Sequence, residues 1–169
     1  MKKVAILFVI LLTSSFIFAQ NTYVPDDKFE QALIDLGYDT TLDDYVLTAN
    51  ISGVTSLQVE SKGISDLTGI QDFTALTELY GHGNQLTSLD VSKNTALAVL
   101  SVGQNQLTNL DVSNNIALTG LYCFNNSLIS LDVSKNIVLE KLNLYGNSLT
   151  SLDVSNNTAL IILICMQND

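Results

Sequence analysis

The 169-residue sequence is poor in several things: one histidine, one proline, two cysteines, no tryptophan and few basic residues. Each shortage excludes something. The single histidine, His82, stands between Gly81 and Gly83. With no second histidine, no nucleophile–base–orienter set is suggested. No catalytic residue, metal ligand or cofactor is therefore assigned. Of the 7 Lys+Arg, Lys2 and Lys3 lie in the first 19 residues, so five bases face 17 Asp+Glu in the remainder, a net charge of −12. A surface of that sign repels phosphate backbones and argues against nucleic acid as a partner. The two cysteines, Cys123 and Cys165, allow one disulfide at most, and their positions must decide whether it forms.

Long apolar runs are scarce too. Residues 4–18 form one, interrupted by Thr13, Ser14 and Ser15, preceded by Lys2 and Lys3 and followed by the small Ala19. This is the pattern of a secretory signal peptide over residues 1–19. A membrane anchor is the alternative, but the run is short against the roughly 20 residues that a span needs. No other segment is a candidate. Gln20, not cysteine, stands directly after Ala19, so the usual lipoprotein attachment residue is missing there. The mature chain is expected to be secreted or at the cell surface, and not membrane-spanning after cleavage.

What the sequence has is a period. Five segments fit L-x-x-L-x-L-x-x-N-x-L without gaps, beginning at Leu76, Leu97, Leu118, Leu139 and Leu160. The second position is Leu79, Leu100, Leu121, Leu142 and Leu163. The third apolar slot holds Gly81, Val102, Cys123, Leu144 and Cys165, and the asparagine slot Asn84, Asn105, Asn126, Asn147 and Asn168. An earlier unit, Val54-x-x-Leu57-x-Val59, fits one turn upstream. Alternation within L-x-L is strand-like, with leucines inward. One turn cannot bury its apolar side alone, so the turns must stack. The expected fold is mainly β: a leucine-rich-repeat solenoid of five to six turns with a parallel sheet, over residues 51–169. The asparagine column is structural, since buried backbone groups need partners.

The other half of each turn repeats as Leu89-Asp90-Val91-Ser92, Leu110-Asp111-Val112-Ser113, Leu131-Asp132-Val133-Ser134 and Leu152-Asp153-Val154-Ser155. Extended backbone is expected on this side as well, with a short helical or 3₁₀ piece in the first turn, near Ile64 to Ile70. Cys123 and Cys165 fill the same inward slot two turns apart, about 10 Å at the usual strand spacing. A disulfide needs Cα atoms within about 7 Å, so two buried free thiols are expected.

Residues 20–50 read as an N-terminal helical cap. Pro25-Asp26-Asp27 opens a helix, Asp27 and Glu30 have capping-box spacing, and Phe29, Ala32, Leu33 and Leu36 share one face. Gly37 is placed to end it. Leu42, Val46 and Ala49 suggest a second short helix. At the other end the sequence stops straight after a strand motif, so truncation of the solenoid is expected there.

With these motifs in place, 51–169 resembles secreted bacterial leucine-rich-repeat proteins. The stretch from Ile64-Ser65-Asp66-Leu67-Thr68 to Asp72-Phe73-Thr74-Ala75-Leu76 is similar to the 22-residue internalin repeat. The L-D-V-S-x-N-x-A-L units are similar to 21-residue repeats of Bacteroidetes-type surface proteins. The resemblance implies a non-enzymatic module for protein–protein interaction or adhesion.

Outward columns on the strands place Tyr80, His82, Tyr122, Phe124 and Tyr145 on one face. Aromatics are favoured at interface hot spots, and exposed apolar area asks for a partner. These five are the candidate binding residues for a protein, with a glycan or cell-wall polymer as the alternative ligand. The bland alternative is that stacked aromatics only support the sheet. A third reading makes the repeats a spacer for a C-terminal domain. The ladder Asp90, Asp111, Asp132 and Asp153 has too few oxygen ligands per site for calcium and reads as solvated carboxylates held by backbone or Ser/Thr bonds. Asp39-x-Thr41-x-Asp43 has the beginnings of a calcium loop, but Asp44 stands where Gly is required and Asn50 where Glu belongs.

Overall fold

A computed structural model describes residues 20–168. The signal peptide expected at residues 1–19 lies outside the described residues.

The N-terminal cap contains β1 (Asn21–Tyr23), α1 (Asp27–Asp35), β2 (Tyr45–Leu47) and the short α2 (Thr48–Ile51). α1 begins one residue earlier than a capping box at Asp27 would require. Asp26 follows Pro25 in extended backbone, and its Oδ1 accepts the N–H groups of Lys28 and Phe29 at 2.9 and 3.0 Å. Glu30 then falls one position past the capping-box place, still in the first turn and on the buried face with Phe29 and Leu33. Instead Oε1 of the buried Glu30 accepts the N–H groups of Asp43 and Tyr45, both at 3.0 Å, and pins the returning chain.

Phe29, Ala32 and Leu33 are buried as their spacing predicts, whereas Leu36 is exposed. The helix stops before it, and Gly37, at φ +80°, turns the chain away. The second short helix expected from Leu42, Val46 and Ala49 is present only around Ala49, as α2. Tyr45, Val46 and Leu47 form a strand antiparallel to β1, with Tyr23 opposite Tyr45. Val46 points into the core and Leu42 is exposed. Pairing the two triplets satisfies backbone groups of both before the chain enters α2.

The cap is fastened to the first repeat by specific contacts. The Phe29 and Phe73 rings stack at 6.4 Å. Thr22 Oγ1 donates to Asp72 Oδ2 at 2.7 Å. Gly69 sits at φ +108°, and a Cβ there would lie 2.9 Å from Val24 Cγ2 and 3.0 Å from the Tyr23 carbonyl oxygen. Only glycine allows that conformation and that approach.

The repeats form one six-stranded parallel sheet: β3 (Ser56–Gln58), β4 (Glu78–Tyr80), β5 (Val99–Ser101), β6 (Gly120–Tyr122), β7 (Lys141–Asn143) and β8 (Ile162–Ile164), in chain order. Leu57, Leu79, Leu100, Leu121, Leu142 and Leu163 are register partners in succession. After each strand one residue takes a left-handed conformation: Ser61, Gly83, Gln104, Asn125, Gly146 and Gln167. This turn delivers the asparagine side chain inward. Asn84 Oδ1 accepts the N–H groups of Lys62 and Ile64, while its Nδ2 donates to the carbonyls of Val59 and Gly81. Asn147 repeats the arrangement with Leu128, Cys123 and Leu144. Each asparagine thus ties its turn to the one before, the structural role expected from its spacing.

The L-D-V-S half differs from expectation. It carries no strand. The Asp90 carboxylate takes the Ser92 N–H at 2.9 Å, and the Asn94 and Leu97 N–H groups bond back to Val91 and Asn94. Backbone donors that a second sheet would use are spent on these local turns. Stacking on this side runs through side chains: Asn115 Nδ2 donates to the carbonyls of Val91 and Asn94 in the preceding turn. Inward–outward alternation survives, with Val91, Val112 and Val133 buried and Asp90, Asp111 and Asp132 exposed. The first turn has a 3₁₀ helix at Ile70–Asp72, just beyond the segment that suggested one.

Cys123 and Cys165 are both free, but only Cys123 is buried. Burial of Cys165 was expected and is corrected here. Its turn is the last described one, so one side of that layer meets solvent. Leu163 is 41% exposed, against 0% for Leu142 one turn earlier.

Candidate interaction face

The strands place Tyr80, His82, Tyr122, Phe124 and Tyr145 on the same side of the sheet, all half-buried. Tyr80 and Tyr122 flank Ser101 in one column of register partners. Ser101 is only 9% exposed although its side chain points outward. It lies shaded between two larger neighbours. His82, Phe124 and Tyr145 belong to the next column, where Gly103 occupies the place between His82 and Phe124.

The rings lie over glycines. A Cβ added at Gly103 would run into the Phe124 ring, and one at Gly120 would stand 3.0 Å from the Tyr122 ring. Each of these two rings therefore lies against space that a side chain would otherwise occupy, and both remain half-buried. Among the described residues the paired aromatic rings are Tyr23–Tyr45 and Phe29–Phe73, both involving the cap. On this face the neighbour contacts of Phe124 and Tyr122 are to glycine. The glycine–aromatic pairing was missed in the sequence. Its signal was present: Gly103 and Phe124 are 21 residues apart in the same outward column.

Two carboxylates border Tyr80. Burial pushes the Tyr80 phenol up from its ordinary pKa, and the charges of Glu78 and Glu60 push it the same way. The other charged side chain on the strands of this face is Lys141, exposed on β7.

The opposite side of each turn is chemically different. The Asp111 carboxylate is held below its ordinary value by the Ser113 hydroxyl and then by the Ser113 N–H. Asp90 follows the same order with Ser92. In Asp132 and Asp153 the backbone bond from Ser134 or Ser155 leads. These are carboxylates engaged in local turns. Recesses of about 260 and 250 Å³ run between successive segments, lined by Ser130, Asp132, Ser151 and Asp153 in one and by Asn109, Asp111 and Ser113 in another. Among the described residues no group of three or more His, Cys, Asp or Glu side chains is placed to hold a metal. In the loop containing Asp39 and Asp43, the Asp43 carboxylate accepts the Tyr45 N–H and Asn50 donates to the Tyr38 carbonyl. Those residues serve the cap.

Stacked turns, a one-sided parallel sheet and inward asparagines define a leucine-rich-repeat solenoid similar to those of internalins. Relatives agree. Over 75 residues, 44% of the chain, it is 40% identical to internalin J of Listeria monocytogenes serotype 4b (strain F2365), a match spanning 8% of that protein. The solved functional domain of InlJ from Listeria monocytogenes, which includes a cysteine ladder, superposes with a TM-score of 0.80 at 39% identity, covering 87% of this chain and 33% of that one. The crystal structure of internalin F from strain 4b F2365 gives 0.75 at 27% identity, covering 86% of this chain and 44% of that one. The leucine-rich effector YopM of Yersinia pestis gives 0.53 at 32% identity, covering 58% and 27%. The chain therefore spans a minor part of each relative's length. No protein-family model matches it.

Proposed function

We propose that the chain is a non-enzymatic recognition module, exported and then secreted or held at the cell surface. In this reading residues 1–19 direct export, 20–50 cap the solenoid, and 51–169 bind. It docks protein partners, in adhesion or a related contact, through Tyr80, His82, Tyr122, Phe124 and Tyr145. The observation that carries this reading is the seating of Tyr122 and Phe124 over Gly120 and Gly103. A ring fixed before contact loses little conformational freedom on binding, and aromatic anchors contribute heavily at interfaces. The face is a sheet surface with small residues between the rings, which suits a macromolecular partner. Among the described residues no helix is long and apolar enough to cross a membrane.

The test is the triple variant Tyr80→Ala, Tyr122→Ala, Phe124→Ala, applied as labelled protein to cells and extracellular matrix and read by flow cytometry and plate binding. At least a tenfold loss of binding is expected, with an unchanged circular dichroism spectrum. Undiminished binding by the folded variant would overturn the reading. Protease treatment of the cells should abolish binding to a protein partner. A glycan array separates out the carbohydrate alternative.

A further inference from the structure

Charge on the sheet face is segregated along the solenoid. Glu60, two residues past β3 and level with His82 in the register, and Glu78, two residues before Tyr80 on β4, lie half-buried on either side of Tyr80 at the N-terminal end. The middle strands present Val99, Ser101, Gly120, Tyr122 and Phe124, all uncharged. Lys141 stands on β7 at the far end. Three strand steps, about 14 Å, separate β4 from β7.

We propose that this face takes a protein segment carrying a lysine or arginine, with the cation held between Glu60 and Glu78 against the Tyr80 ring and neighbouring apolar side chains resting on Tyr122 and Phe124. The inference rests on the preceding reading of this face as the docking surface and names the chemistry of its occupant. Three physical terms favour it. Half-buried carboxylates interact with an incoming cation in a medium of lower dielectric than water. A tyrosine ring face attracts a cation by its quadrupole. The acidic mature chain steers cationic partners towards it at low salt. Lys141 repels a second cation at the far end, so the occupant is neutral or acidic there and its direction across the strands is set.

The probe is fluorescein-labelled tetralysine, measured by anisotropy at 20 mM and 200 mM salt. Glu60→Gln/Glu78→Gln is compared with Asp111→Asn/Asp132→Asn, which removes the same two charges from the opposite side. At least a fivefold loss of affinity is expected for the glutamate pair, less than twofold for the aspartate pair, and at least threefold for Tyr80→Ala. Weaker binding at the higher salt is expected throughout. Equal losses in the two double variants, or no tetralysine binding to the parent chain, would overturn the proposal. Thermal melts establish that each variant is folded. The two readings fail separately. If the aromatic triple variant loses cell binding while both charge pairs behave alike, the docking face stands and the cation does not. If the glutamate pair is selective but the triple variant still binds cells, the cation site stands and the docking face does not.

Discussion

The Asp26 carboxylate joins the cap helix to Ser65, 39 residues away. Its Oδ1 caps α1, while Oδ2 accepts the Ser65 N–H at 2.8 Å, the Ser65 hydroxyl at 2.7 Å and the Asp66 N–H at 3.1 Å. One side chain thus fixes both the start of the helix and its seat on the first repeat. Asp26→Ala is expected to cost about 1–3 kcal/mol, combining a lost helix cap with lost charge-assisted hydrogen bonds. The effect is also pH-dependent. Burial raises the Asp26 pKa, but the bonds from Ser65, Phe29 and Asp66 outweigh it and leave the group below its ordinary 3.8. A depressed carboxylate stabilises the fold above its unfolded pKa, and that contribution is lost as pH falls through the folded value. Urea midpoints of parent and variant should therefore differ by a constant amount above about pH 5 and converge below pH 3.8. A gap that widens on acidification would contradict this.

The Phe124 ring occupies the space that a Cβ at Gly103 would enter. Gly103→Ala should displace the ring and cost about 1–2 kcal/mol, as overpacking does. In a Phe124→Ala background the same substitution should be neutral or slightly stabilising, because the clash is gone and glycine's unfolded-state freedom is reduced. A double-mutant cycle by chemical denaturation reads the coupling directly. Equal effects in both backgrounds would show that the ring does not depend on the glycine. Gly103→Ala should also weaken partner binding, since it unseats one anchor without removing it.

The two thiols should separate cleanly by reactivity. Burial pushes Cys123 up to about 12 and encloses it, whereas Cys165 is exposed. The thiolate is the reacting form. Ellman's reagent at pH 8 is expected to modify one thiol per native molecule at once and the second only after unfolding. Peptide mapping should place the first at Cys165. Rapid labelling of Cys123 in the native protein would mean that its turn opens readily.

Much of this was legible because a solenoid is nearly one-dimensional. Each turn meets only its neighbours, so one 21-residue pattern specified the leucine ladder, the inward asparagines and the outward aromatic columns. The candidate residues Tyr80, His82, Tyr122, Phe124 and Tyr145 were brought to one face by that register alone. The cap was legible only as a helix. Glu30 has the spacing of a local capping partner, yet the chain returns past it at Asp43 and Tyr45. A contact across 13 or 15 residues leaves no periodic trace. The L-D-V-S segments alternate as a strand would, but Asp90 and its equivalents close local turns that alternation does not reveal.

The sequence by itself determined the repeat, the parallel stack and which side chains face in or out, because a strand's two-residue alternation and a fixed period leave few other ways to bury so many leucines. Tertiary structure decided the rest. It set where the rings rest, since a side chain's lean depends on the space its neighbours leave, and Gly103 and Gly120 leave it. It set which cysteine is covered, since that depends on a turn lying over it. It also gathered Glu60, Glu78 and Tyr80 into one neighbourhood, because side chains separated by up to 20 residues become neighbours only when turns stack.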